Sequence, residues 1–142
     1  MVQPTLTAEG DVLISAIGAR GGVGMRRLAV ARGTGGWQVE ERWTSARLKP
    51  YYSDVVVHDG HAFGFDGSLL ACVDLGDGER RWKGGRYGAG QLLLLADQGL
   101  LLVLGRREEA VLGEAGRGLE HGLDALARVV AQGSRHPRRR LA

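Results

Sequence analysis

The chain has 142 residues, 44% of them hydrophobic and 25% charged, with a net charge of +3. That length can carry one ordinary core, that balance excludes a disordered or collagen-like chain, and no apolar run reaches the roughly 20 residues a membrane helix needs. Basic and acidic side chains cancel over residues 1–112, so the excess charge belongs to residues 113–142 and the body gives no electrostatic reason to expect nucleic acid.

The single cysteine, Cys72, rules out an intrachain disulfide framework. The 24 glycines are spread without a period, as turns between many short elements would spread them. The N-terminal residues show no basic region followed by an apolar stretch, so no signal peptide is expected, and the compartment is left open.

In chain order, residues 11–16 (Asp-Val-Leu-Ile-Ser-Ala) predict a first strand, followed by a glycine-rich loop at Gly18, Gly21, Gly22 and Gly24. Residues 25–32 predict a second strand, and Gly33-Thr34-Gly35-Gly36 a turn. From 37 to 43, Trp37, Val39, Glu41 and Trp43 alternate against Gln38, Glu40 and Arg42. Residues 55–58 and 61–66 predict a hairpin around Asp59-Gly60, because both central residues of a type I′ turn need positive φ. Residues 68–75 and 79–83 follow, joined at Gly76-Asp77-Gly78, and then 91–97 and 100–104 form a hairpin around Gln98-Gly99. Apolar runs of this length favour buried strands over helices.

A repeat underlies the turns. Trp43 and Trp82 lie 39 residues apart, and each closes a similar unit. The first carries Gly10-Asp11-Val12-Leu13, Arg27-Leu28-Ala29-Val30, Gly36-Trp37 and Trp43; the second carries Val57-His58-Asp59-Gly60, residues 69–74, Gly78-Glu79 and Trp82. A third begins at Gln91 and then degrades. A period of about 40 residues with four strands per unit suits a β-propeller blade, which cannot bury both faces alone and needs neighbours stacked on it.

The run Cys72-Val73-Asp74-Leu75-Gly76-Asp77-Gly78-Glu79-Arg80-Arg81-Trp82 resembles the blade signature of the quinoprotein (PQQ-like) repeat family, Ala-x-Asp-x-x-Thr-Gly-Glu-x-x-Trp. It departs at Cys72, which replaces Ala, and at Asp77, which replaces Thr; both substitutes are small or can accept turn hydrogen bonds. The resemblance spans residues 4–112 and is sharpest over 55–83. It implies an all-β chain of antiparallel four-stranded blades, an incomplete propeller in residues 1–112 that is part of a longer protein. In that family the Gly-Glu turn and the Trp tie adjacent blades, so Asp74, Gly78, Glu79, Trp82 and Trp43 are expected to be structural. The signature occurs in quinone-dependent dehydrogenases and in non-enzymatic scaffolds alike.

Residues 113–142 form an atypical basic tail. Leu119, Leu123, Leu126 and Val130 fall at helical spacing, so a short helix is expected over 118–132, and disorder after it.

Candidate chemistry is sparse. His58-Asp59-Gly60-His61 looks metal-like, but a turn separates the imidazoles and no third ligand is near, so no metal site is expected. The Lys83 to Gly90 loop could cradle an anion with backbone N–H groups but lacks the Walker spacing, and Gly18 to Gly24 fails the dinucleotide pattern because Arg27 stands where its last glycine would be. Cys72 reads as a buried inert thiol. Trp37, Trp43 and Trp82 read as core or inter-blade packing. Arg138-Arg139-Arg140 is thin evidence for nucleic acid. No catalytic residue and no cofactor is expected. The loop at 47–54, with Lys49, Tyr51, Tyr52 and Asp54, is the segment best suited to recognise a partner, although Pro50 fits a plain connector as well.

Two functions follow. The first is a non-catalytic repeat module acting as scaffold or protein-interaction surface, with a protein partner or self-association expected. The alternative is part of a PQQ-dependent dehydrogenase, against which stand the absence of asparagine and of an adjacent cysteine pair.

Overall fold

The computed structural model describes residues 3–15, 22, 24–51, 53–105, 109–115 and 127–130. Residues 16–21 and 23 around the glycine-rich loop, Tyr52, most of the tail that predicts a helix, and the three consecutive arginines near the C-terminus lie outside the described residues. Within them the chain is all-β, in three antiparallel four-stranded sheets.

The first sheet holds β1 (Thr5–Leu6), β2 (Val12–Ser15), β3 (Met25–Gly33) and β4 (Gly36–Ser45). The second holds β5 (Val56–His58), β6 (His61–Asp66), β7 (Leu69–Asp74) and β8 (Arg80–Arg86). The third holds β9 (Gln91–Leu95), β10 (Leu100–Leu104), β11 (Glu109–Glu114) and β12 (Ala127–Val130). In each, spatial order follows chain order, so every sheet is a simple up-and-down meander. The turn between β5 and β6 has the predicted chemistry, with Asp59 at φ 46° and Gly60 at φ 75°.

The sheets stack face on face with the second in the middle. Its strands β6 and β7 are buried at every interior position, which is why their sequences are apolar without alternation. The pleat still separates the two faces. Phe63, Phe65, Leu70, Cys72 and Trp82 pack with Leu101 and Val103 of the third sheet. Ala62, Ala71 and Val73 turn the other way, onto Leu13 and Met25 of the first sheet and onto Leu48 and Val55 of the connecting segment. The large side chains therefore fill one interface and the small ones the other. Each fully buried Phe or Leu contributes about 1.5–3 kcal/mol. The first strands of neighbouring sheets, β1 with β5 and β5 with β9, lie side by side, so all three sheets point the same way.

Two expectations are corrected. Trp37 is not a packing residue: it is 73% exposed. The alternation from 37 to 43 places Trp37, Val39 and Trp43 on one face, but a β-bulge breaks it. Glu41 pairs with Leu28 and Trp43 with Arg27, leaving Arg42 as the extra residue. The bulge turns Trp43 inward and Trp37 and Val39 outward. In the tail, residues 127–130 are not helical but form β12, paired antiparallel with β11. Leu119, Leu123 and Leu126 lie outside the described residues; at 127–130 the edge of β11 supplies ladder hydrogen bonds that local periodicity does not anticipate.

Candidate interaction surface

Of the residues singled out in the sequence, Asp74, Gly78, Glu79 and Trp43 converge on the turn after β7. Asp74 closes that strand, and its Oδ1 accepts the Gly76 N–H at 2.7 Å, while its Oδ2 accepts two bonds from the Arg81 guanidinium, at 2.7 and 3.2 Å. The Arg81 hydrogen bond, with further help from the Gly76 N–H, holds the Asp74 carboxyl below its ordinary range. Gly78 sits at φ 73° and donates its N–H to the Asp74 carbonyl at 2.9 Å. Glu79 is exposed; its carbonyl accepts the Asp74 N–H, and its carboxylate lies 3.4 Å from Arg47.

The first sheet grips this turn. Trp43 donates its indole N–H to the Leu75 carbonyl at 2.7 Å, and the same oxygen accepts from Arg27 at 2.7 Å. The Ser45 hydroxyl donates to the Gly78 carbonyl at 2.6 Å. The Trp43 ring lies against Gly78 so closely that a Cβ there would stand 2.8 Å from Cε3. Only glycine satisfies both the positive φ and this approach. One interface further on, Trp82 is buried between the second and third sheets, and its indole nitrogen has no hydrogen-bond partner.

The connecting segment between the first two sheets is anchored and exposed by turns. Leu48, Pro50, Ser53 and Val55 are buried, while Tyr51 and Asp54 face solvent and Lys49 is half-buried. The Pro50 carbonyl accepts from the Ser15 hydroxyl at 3.3 Å, and Asp54 accepts the Gln3 N–H at 3.3 Å. Beside it a groove of about 470 Å³ is lined by Ser53 and Asp54 on one side and by Gly90 to Leu93, Leu102 and Leu104 on the other. The groove joins the loop to the outward face of the third sheet, where Leu93 and Leu104 are exposed.

Sequence reasoning named Asp54 but not the leucines around it. The signal was present: in the run Leu92-Leu93-Leu94-Leu95 both faces are apolar, although a last sheet in a stack has only one face to bury.

The remaining candidates are occupied by structural duties. His58 and His61 are a cross-strand pair, and His61 Nδ1 hydrogen-bonds the Asp59 carbonyl at 2.7 Å. Among the described residues no group of three metal-ligating side chains converges. In the Lys83 to Gly90 loop, Lys83 reaches Asp66 at 2.6 Å, and the N–H groups of Tyr87 and Gly88 both donate to the Ser68 carbonyl rather than facing outward as an anion cradle. Cys72 is fully buried, and desolvation, aided by Asp74, pushes its thiol up to about 12, so it has almost no thiolate at neutral pH.

Comparison with protein-family models, with curated proteins and with solved structures finds no match to this chain.

Proposed function

We propose that the chain is a non-catalytic repeat module of the β-propeller type, similar in its turn signature to quinoprotein-like blades, whose role is to hold or contact other protein. The observation that carries this reading is the groove, where an apolar sheet face continues into a loop bearing Tyr51 and Asp54. Aromatic and leucine side chains beside a single carboxylate suit a protein surface, since they combine an apolar contact area with one orienting charge. The paired carboxylates give further support. Asp11 is bound to Arg27, Asp66 to Lys83 and Asp74 to Arg81, each pair within one sheet, so none of the three presents a free acid or base. Exposed apolar side chains on the outward sheet face are the usual mark of a contact surface.

A photo-crosslinking amino acid placed at Tyr51 or Leu93, in cells that make the protein naturally, tests the reading. Discrete protein adducts are expected at both positions and not at Asp97, an exposed residue at the opposite end of β9. No adduct above the Asp97 level at either position would refute it.

A further inference from the structure

Strands β3 and β4 outrun the rest of their sheet. β2 pairs with β3 only over Met25 to Leu28, whereas β3 and β4 stay paired as far as Gly33 and Gly36. The outer pairs, from Ala29 with Glu40 to Gly33 with Gly36, therefore form a two-stranded arm about 16 Å long. Residues 30–42 are all exposed, so no described part of the chain covers either side of it.

The outer arm is set apart by its charge. Residues 30–39 hold a single charged side chain, Arg32, although 25% of the whole chain is charged. An exposed segment is ordinarily where charge collects. Val39 and Trp37 alternate onto one side of the ribbon with their cross-strand partners Val30 and Arg32. Trp37 is 73% and Val39 64% exposed. The carboxylates nearer the body are already neutralised, Glu40 by Arg42 at 3.3 Å and Glu41 by Arg26 at 4.0 Å. Among the described residues Arg32 has no acidic partner. The arm thus ends in an indole, two valines and one unneutralised cation.

Size selects the partner. One side of the arm offers roughly 160 Å², far short of the roughly 800 Å² that each partner brings to a stable protein complex. A lipid surface needs no such footprint, because it closes around whatever side chains enter it. We propose that the arm is a peripheral lipid anchor that seats Trp37, Val39 and Val30 among the headgroups of an anionic lipid surface, with Arg32 on a phosphate. An indole suits that depth, since it joins a large apolar body to one N–H donor. Arginine buries its stem and keeps its guanidinium at the phosphate level. The outer edges of a two-stranded ribbon carry unpaired N–H and C=O groups that hydrocarbon would leave unsatisfied, so the arm lies in the interface and does not enter the bilayer core. The net charge of +3 on the whole chain adds attraction of the same sign. This contact is separate from the groove beside Asp54.

Cosedimentation of the full chain with vesicles tests the anchor, using phosphatidylcholine alone and a mixture with phosphatidylglycerol. The wild type is expected to pellet with the anionic vesicles and to shift its tryptophan emission to the blue, a change carried by Trp37, since Trp82 is buried and Trp43 half-buried. Trp37→Ser should weaken partitioning at least about tenfold, and Arg32→Gln about fivefold on the anionic vesicles only. Gly35→Asp puts a carboxylate at the tip, where a Cβ meets open space, and should abolish pelleting. Leu93→Ser, in the groove, should leave it unchanged. Circular dichroism verifies that each variant is folded, and Trp37→Ser or Gly35→Asp alone carries the test. A wild type that stays in the supernatant with both kinds of vesicle would overturn the anchor. Pelleting that survives Trp37→Ser and Gly35→Asp, or that Leu93→Ser abolishes as well, would overturn it by moving the lipid contact off the arm. A photo-crosslinking amino acid replacing Val39 that captures protein and no lipid in cells would give the arm to a protein partner instead.

Discussion

Gly78 concentrates the logic of the stack in one residue. Its positive φ lets the chain turn after β7, and its missing side chain lets the Trp43 ring reach the Leu75 carbonyl. Gly60 offers a control, since it has nearly the same φ, 75°, but a Cβ there would meet open space. Gly60→Ala should cost about 1–2 kcal/mol, the strain of an L residue in the left-handed region. Gly78→Ala should cost a further 1–3 kcal/mol or so, because the Trp43 ring must move. Urea denaturation of the two variants measures the difference, and equal losses would mean that Trp43 does not lean on the turn. At this scale much was legible in the sequence. Asp59-Gly60 announced its turn because few residue types tolerate positive φ, and Gly76-Asp77-Gly78 marked the corner after β7 for the same reason. The Arg81 clamp on Asp74 was not legible, since arginine at an exposed strand position has many possible partners and only geometry selects one.

At the scale of elements, the strands of the second sheet were legible because both their faces are buried and their apolar runs are unbroken. The first sheet was legible in its strands but not in its faces. An alternating pattern reports facing only while the pairing is regular, and the extra residue Arg42 reverses it in the middle of β4. Deleting Arg42 should therefore be tolerated, at a cost of no more than about 1 kcal/mol, because it joins Glu41 directly to Trp43 in an unbroken ladder against Leu28 and Arg27 and leaves every side chain on its present face. Replacing the exposed Trp37 by Ser should change stability by less than about 0.5 kcal/mol. Thermal unfolding of both variants checks the pair, and an Arg42 deletion that costs as much as losing the Trp43 packing, about 3–5 kcal/mol, would argue against the bulge. In the tail, the leucine spacing predicted a helix over a stretch where residues 127–130 complete the third sheet. Local periodicity carries no knowledge of an unpaired neighbouring edge, so this element could be seen only in the fold.

For the whole molecule, cohesion comes from sheets lying on sheets. The second sheet is held from both sides, by large side chains against the third and by small ones against the first. The first and third sheets are each held from one side, and their outward faces keep apolar surface available. The proposed role draws on these outward faces. Fold class was legible from strand length and turn chemistry. Of the proposed contact surface, sequence pointed only to the loop, because an apolar face looks the same in sequence whether or not it is covered.

Residue-resolved amide hydrogen exchange tests this stacking most directly. The account predicts that β6 and β7 exchange slowest, that β2 and β10 are intermediate, and that the projecting ends of β3 and β4, where residues 30–42 are all exposed, exchange fastest. Protection in β6 and β7 no greater than in the ends of β3 and β4 would contradict it, because a sheet buried on both faces cannot open more easily than one that projects into solvent.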